Sequence, residues 1–113
     1  MEEVIQITTT ADRRETIEAI ARSLVEKRLA SCAQILGPIT SIYRWKGKVE
    51  ETTEWLCLIK TRKTLYMEAE AEIRRLHPYE LPEITAAGIP QGLSRYMEWV
   101  LDETASPGAL QAG

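Results

Sequence analysis

The sequence predicts an α+β fold with the element order β-α-β-β-α-β, followed by a C-terminal helix, in one domain over residues 1–104. Three observations predict it. Apolar residues recur at helical spacing in three segments, Val, Ile and Thr are concentrated in the segments between them, and the tripeptide KGK joins two strand-like segments directly. A chain of 113 residues also has the ordinary length of a single domain.

The N-terminal segment is predicted to form a strand and then a helix. Residues 2–9, EVIQITTT, are rich in residues that favour extended backbone. Asp12 and Glu15 have the spacing of a capping box, in which the two side chains accept hydrogen bonds from free N–H groups at the start of a helix. The apolar stripe that follows consists of Ile17, Ile20, Ala21, Leu24 and Val25. We therefore expect a helix that ends near Leu29.

Residues 31–61 are predicted to form a long hairpin that turns at Gly47. Gly37 and Pro38 interrupt its first arm, and a proline there favours a bulge or an edge strand. Pairing centred on Gly47 places Cys57 opposite Gly37 and Cys32 near Arg62, with the two thiols over ~10 Å apart along the strands. We expect no disulfide between them.

The second arm of the hairpin is apolar on both faces. Trp55, Cys57 and Ile59 point to one side of the sheet, and Leu56 and Leu58 point to the other. One domain of this size has too few helices to cover both faces, and arms of roughly 15 residues exceed the usual strand length. The pattern predicts a homo-oligomer in which other copies cover the second face and the unpaired strand edges.

The last elements are a helix, a strand and a helix. Residues 63–76 form the first of these helices, and Pro78 ends it. The strand is PEITAAGI, residues 82–89, and LSRYMEWVLDETA, residues 93–105, gives the final helix. The inward stripes are expected to be Leu65, Ala69, Ile73 and Leu76 in the former helix, and Leu93, Tyr96, Met97, Val100 and Leu101 in the latter. The tail, residues 105–113, is predicted to be disordered.

Composition excludes two classes of partner. The net charge of −3 gives no basic surplus with which to bind the phosphates of nucleic acid. No apolar run approaches the ~20 residues that span a bilayer, so no membrane partner is expected. The acidic, strand-like N-terminus does not have the pattern of a secretory signal, so a cytoplasmic location is expected, with both cysteines as free thiols.

Five stretches in series resemble the CutA family, the divalent-cation tolerance proteins. They are LASCAQI, IYRWKGKVEE, LIKT, HPYELPEI and YMEWV, at family-like separations within residues 3–104. The element order is that of the ferredoxin-like fold, which the resemblance also implies. It further implies a homotrimer in which long hairpins pair between subunits, with an architecture similar to that of PII-type signalling proteins. The implied role is a response to metal ions, copper above all, without a defined reaction.

The candidate metal ligands are Cys32 and His77. Copper(I) prefers thiolate and thioether ligands and accepts imidazole. Cys32 is either such a ligand or a small buried strand residue, whereas Cys57, between leucines, is expected in the core. His77 precedes Pro78, so it first marks the end of a helix, and it is second a candidate cleft residue that could hold copper or another divalent cation. No C-x-x-C or H-E-x-x-H motif supports a closed metal site.

A different class of function places the binding site in clefts between subunits. In this alternative, the trimer is a signalling or scaffolding protein that binds a small anionic ligand or a protein partner. Its candidate residues are Trp45, Glu54, Lys60 and Tyr79. Glu54 could equally belong to a solvated acidic face or ligate a hard cation. No catalytic triad, phosphate loop or hydrolase motif is present, so we do not expect an enzyme.

Overall fold

A computed structural model describes residues 2–105. Its elements are β1 (Val4–Ala11), α1 (Arg14–Glu26), β2 (Cys32–Trp45), β3 (Lys48–Arg62), a short 3-10 turn (Lys63–Leu65), α2 (Tyr66–Leu76), β4 (Ile84–Ile89) and α3 (Ser94–Glu103). The strands form one antiparallel sheet in the order β2-β3-β1-β4. The predicted α+β, ferredoxin-like element order is confirmed. The predicted tail lies outside the described residues beyond its first position.

Helix α1 begins and ends differently from the prediction. Its N-cap is Arg13, and no side chain there accepts a capping hydrogen bond, so the capping box of Asp12 and Glu15 is wrong. Strand β1 runs on to Ala11, and α1 begins at Arg14, two residues after Asp12. The helix ends at Glu26 because Arg28 takes a left-handed backbone with φ of 60°, which reverses the chain before the predicted end.

Helices α1 and α2 cover one face of the sheet and form the core with it. Ile7 of β1 and Ile59 of β3 are fully buried there. Ile20 and Leu24 contribute from α1, and Ile73 contributes from α2. Burial of these side chains from water is the main source of stability of the chain, at about 1.5–3 kcal/mol for each large aliphatic residue.

Helix α3 lies against β1 and β3. Its predicted inward face is only partly correct, because Leu93 and Tyr96 are exposed. Of the other three residues, Val100 is buried and Met97 and Leu101 are half-buried.

Arg62 helps to hold the C-terminal half of α3 to the sheet. By alternation along β3, Arg62 points to the face opposite Ile59. Its guanidinium donates to the Leu101 carbonyl and, at 3.0 Å, to the Thr104 hydroxyl. The start of the helix receives no comparable anchor from this arginine, which is consistent with the exposure of Leu93.

The hairpin turns through a two-residue loop, Lys46 and Gly47, so that Trp45 pairs with Lys48. Both loop residues have positive φ, 51° and 81°, as hairpin turns of this length require. The predicted turn at Gly47 is confirmed. An irregularity between Leu36 and Ile39 is the bulge that Gly37 and Pro38 predicted.

The predicted register of the hairpin is wrong by up to two residues. Cys57 pairs with Ile35 and Cys32 pairs with Lys60, instead of Gly37 and Arg62. The two-residue loop accounts for one residue of the difference, and the bulge accounts for the other. Both thiols are free in the described part of the chain.

The outer half of the hairpin extends beyond the helices. Ile42 of β2 is 67% exposed and Val49 of β3 is 64% exposed, whereas Cys57 and Ile59, further along β3, are fully buried. Leu56 and Leu58, on the face opposite α1, remain half-buried. The sequence predicted an oligomer from the second apolar face of β3, where Leu56 and Leu58 lie, and from the length of the arms; the exposure of Ile42 and Val49 adds further apolar surface that another chain could cover.

Candidate functional site

The candidate site is a cavity of about 620 Å³ beside the outer half of the hairpin. It lies where the loop after α2 passes the end of β1 and faces the extended strands β2 and β3. We call it the hairpin pocket, and the side chains that define it are Ser41, Tyr43, Trp45, Glu54, Tyr79 and Glu83. Its volume is within the usual range for small-molecule sites, about 300–1,000 Å³.

Strand alternation brings the hairpin residues of the pocket to one side. Ser41, Tyr43 and Trp45 occupy every second position of β2 and therefore share a face. Glu54 of β3 points to the same side because it is the register partner of Ile39, two residues before Ser41. The bulge before Ile39 sets this register, so Gly37 and Pro38 decide which side chains enter the pocket.

Glu54 is the most buried charged group of the pocket, with only 6% of its surface exposed. One of its carboxylate oxygens accepts a hydrogen bond from the Tyr79 hydroxyl at 2.8 Å. Burial raises the pKa of Tyr79, and the hydrogen bond to Glu54 raises this pKa further. The phenol therefore stays a neutral donor, and no lysine or arginine among residues 2–105 forms an ion pair with Glu54.

His77 positions Tyr79 and is itself held through both ring nitrogens. Nδ1 accepts a hydrogen bond from the Tyr79 backbone N–H at 3.2 Å, and Nε2 lies 2.7 Å from the Thr10 carbonyl oxygen. These partners assign the proton to Nε2, because a carbonyl can only accept. The His77 and Tyr79 rings also pack edge to face, with centroids 4.7 Å apart. His77 thus links the end of α2 to the end of β1.

The hairpin pocket unites three of the four cleft residues that the sequence proposed. Trp45, Glu54 and Tyr79 line it together, although they come from three different segments. Lys60 lies elsewhere on β3, where its ammonium group donates to the Gln34 side chain at 3.0 Å. From the sequence, the glutamates of β3 could form a solvated face or ligate a cation. In the structure Glu54, one of these glutamates, is buried.

The two candidate metal ligands lie on different parts of the molecule. Cys32 starts β2 and pairs with Lys60, whereas His77 contacts the far end of β1 at Thr10. Within residues 2–105, no group of three or more His, Cys, Asp or Glu side chains has an arrangement that could hold a metal ion. Cys57 is fully buried in the core, and burial above all raises its pKa to about 12, so it stays a thiol.

Sequence reasoning missed the part played by Glu83. This residue adds a second carboxylate to the pocket, on the loop between α2 and β4. The sequence placed residues 82 and 83 at the start of the last strand, but β4 begins at Ile84, so Glu83 belongs to the loop. No local pattern indicates which side of a loop an isolated glutamate will face, so tertiary structure was needed to place it.

Comparison with known proteins assigns the family. Residues 5–103 match the family described as "CutA1 divalent ion tolerance protein". The chain belongs to this family. This CutA1 family member is 42% identical over 104 residues to the divalent-cation tolerance protein CutA of Thermus thermophilus. The aligned residues make up 92% of this chain and 99% of that protein. It is 43% identical over 97 residues to the human protein CutA, covering 86% of this chain and 54% of the human one.

Solved structures of CutA proteins have the same fold. A crystal structure of CutA1 from Oryza sativa matches with a TM-score of 0.90 at 32% identity, covering 93% of this chain and 96% of that one. CutA from Xylella fastidiosa matches with a TM-score of 0.87 at 39% identity, covering 90% and 98%. The resemblance drawn from five short stretches is thus confirmed. No helix in the described part of this CutA1 family member is long and apolar enough to cross a membrane.

Proposed function

We propose that this CutA1 family member contributes to divalent-cation tolerance as a homotrimeric, cytoplasmic protein that binds a ligand in the hairpin pocket. The observation that carries the proposal is the buried Glu54 carboxylate, which faces a cavity beside Tyr43 and Trp45 without a cationic partner in the described chain. A concave site with aromatic walls and a few convergent polar groups is typical of ligand binding. The name of the Thermus thermophilus relative supports the role in tolerance.

The exposed outer hairpin supports assembly into a trimer. Ile42 and Val49 leave most of their surface in water, and β2 and β4 are the two edge strands of the sheet. Edge strands and apolar strand surfaces are stabilised when another chain covers them. In a trimer, the hairpin pocket would lie beside this covered surface, so that ligand binding and assembly would be coupled.

Binding rather than catalysis is the proposed role of the pocket. His77, the one histidine of the chain, lies beside it and is held through both nitrogens. It would have to give up one of these hydrogen bonds to act as a base. Its arrangement instead suits the positioning of Tyr79 against Glu54.

The proposal is tested by complementation in a bacterial host that lacks its own CutA protein and is sensitive to divalent cations. We expect the wild-type chain and the Glu51→Gln variant to restore growth in elevated copper, and Glu54→Gln to fail. Glu51 is a matched control because it is an exposed glutamate on the same strand. Equal rescue by Glu54→Gln and Glu51→Gln, at equal protein levels, would remove the pocket from the function.

A second candidate function is direct copper binding through Cys32; His77, the other ligand predicted from the sequence, lies on a different part of the molecule. The half-buried position of the Cys32 thiol favours it, because the thiol is neither sealed in the core nor oxidised. An anaerobic copper titration of the reduced protein and its Cys32→Ser variant tests this candidate. Tight binding at a fixed ratio that the variant loses would favour it, and binding that Cys32→Ser leaves unchanged would reject it.

A further inference from the structure

The Glu54 carboxylate lacks the partner that its burial requires. Glutamate is almost never this buried unless a cation or several donors pair with it, because removal of the charge from water costs several kcal/mol. Its one side-chain hydrogen bond in the described chain comes from the neutral Tyr79 hydroxyl. A charged donor that enters from the cavity would complete the site.

The aromatic walls of the pocket favour the same kind of ligand. Tyr43 and Trp45 lie on the strand face that Glu54 shares. The face of an aromatic ring attracts a cation within about 6 Å of its centroid. The chain already shows this at Trp45, since the ammonium group of Lys46 lies 5.6 Å from the centroid of that ring.

The charges around the cavity disfavour an anion. Among the lining residues, Glu54 and Glu83 contribute two carboxylates and Arg44 contributes one guanidinium, and the ammonium group of Lys46 lies beside Trp45. Of these four charges only that of Glu54 is buried, so it is the least screened by water. Arg44 is exposed, and strand alternation directs its side chain to the face opposite Tyr43 and Trp45. An anionic ligand would have to approach the buried carboxylate of Glu54, and like charges in a partly buried site repel strongly.

An organic cation fits the pocket better than a metal ion does. Ca²⁺ takes six to eight oxygen ligands and Mg²⁺ takes six, whereas the pocket offers the carboxylates of Glu54 and Glu83 beside aromatic walls. An alkyl ammonium ion matches both parts of this surface. Its head can donate to a carboxylate, and its chain can pack against the rings.

We infer that the hairpin pocket binds a small organic ammonium ion, whose –NH₃⁺ group donates to Glu54 while its alkyl chain packs against Tyr43 and Trp45. This inference names the ligand class of the site in the proposed function and rests on that function. It also accounts for the Tyr79 hydroxyl, which fixes one carboxylate oxygen and leaves the other for the ligand.

The test is a calorimetric titration of the assembled protein with three molecules of equal length and different charge. They are n-butylammonium, n-butanol and butyrate. We expect n-butylammonium to bind about tenfold or more tightly than n-butanol, because hydrogen bonds between charged groups are much stronger than neutral ones. Butyrate should bind most weakly. Failure of n-butylammonium to bind, or a preference for either other molecule, would overturn the inference.

Variants locate the site. Glu54→Gln keeps an acceptor for the Tyr79 hydroxyl but removes the charge, so the preference for n-butylammonium should fall about tenfold or more. Glu51→Gln should retain it. Trp45→Leu should weaken n-butylammonium binding severalfold through loss of the cation–π contact, while Trp99→Leu, on α3, should not. A preference that survives both Glu54→Gln and Trp45→Leu would place binding elsewhere and overturn the inference.

The titration and the growth assay can fail independently of each other. If n-butylammonium does not bind but Glu54→Gln still abolishes copper tolerance, the ligand class is wrong and the proposed function stands. If n-butylammonium binds as expected but Glu54→Gln restores growth as well as the wild type, the ligand class stands and the link to tolerance is wrong.

Discussion

The two halves of the long hairpin differ in how their side chains are covered. In the inner half, Cys57 and Ile59 are fully buried under α1 and α2. In the outer half, Ile42 and Val49 are largely exposed, and Glu54 is buried beside an open cavity. The comparison shows that the two halves of one pair of strands can have different roles. The inner half holds the chain together, and the outer half presents the surface and the charge on which the proposed binding rests.

The largest expected effect comes from a core substitution in the inner half. Ile59→Ala should lower the free energy of unfolding by about 4 kcal/mol, because it removes buried methyl groups and leaves a cavity. Val49→Ala on the same strand should change it by less than about 0.5 kcal/mol at dilutions where the chain is monomeric. Urea unfolding followed by circular dichroism measures both. Equal losses would contradict the division between the two halves.

His77→Ala tests the link between the pocket and the core. We expect a loss of about 2–3 kcal/mol in the free energy of unfolding, since the substitution leaves the Thr10 carbonyl and the Tyr79 N–H without their partner. Tyr79→Phe removes the hydrogen bond to Glu54, but this carboxylate borders the open cavity, where water can replace the hydroxyl, so the substitution should cost only about 1 kcal/mol. If Tyr79→Phe cost as much as His77→Ala, the pocket hydrogen bond, not the histidine link, would carry the stability.

The pH dependence of stability tests the contribution of Glu72, which links α1 to α2. Its pKa is lowered, chiefly by the Arg75 guanidinium and further by Ser23 and Lys27, against the opposing effect of burial. A lowered pKa in the folded state stabilises the protein above the ordinary glutamate pKa of about 4.3 and loses that stabilisation as the pH falls towards the lowered value. Glu72→Gln should therefore lower the free energy of unfolding by about 2 kcal/mol at pH 7, and by much less near pH 2.

The control for this prediction is Glu68→Gln, which removes the same charge from α2. Urea midpoints between pH 2 and pH 7 should show a flatter pH dependence in Glu72→Gln than in Glu68→Gln. Parallel pH profiles for the two variants would show that the Glu72 network does not contribute to acid unfolding.

The smallest effect is expected at the tip of the outer half. Gly47→Ala should cost about 1 kcal/mol, because φ of 81° is strained for alanine while no atom lies near the added methyl group. Lys46→Asn should be neutral or slightly stabilising, since asparagine tolerates the left-handed backbone of this position. Thermal unfolding measures both, and a neutral Gly47→Ala would show that the turn is not fixed in solution.

Local patterns predicted the elements of this fold, but not the contacts between them. The stripe of Ile17, Ile20 and Leu24 predicted a buried helix because helical periodicity is a property of neighbouring residues. The hairpin register required the loop length and the exact effect of the bulge, and each shifts every later pair by one residue. The capping box of Asp12 failed because β1 continued further than its composition indicated.

The site was predictable only in part for a related reason. The sequence proposed Trp45, Glu54 and Tyr79 as candidates, but it did not predict the hydrogen bond between Glu54 and Tyr79, which are 25 residues apart in the chain. The role of His77 was equally hidden, because its partner Thr10 lies 67 residues away. Such pairs depend on how α2 ends over β1, which no short stretch of sequence encodes.

The central claim is that the outer half of the hairpin is a binding surface and not a part of the core. The most direct measurement is sedimentation velocity on the wild type and on an Ile42→Lys, Val49→Lys double variant at equal concentration. The account predicts three chain masses for the wild type, and one chain mass with unchanged circular dichroism for the variant. A monomeric wild type, or a variant that still sediments as a trimer, would contradict it.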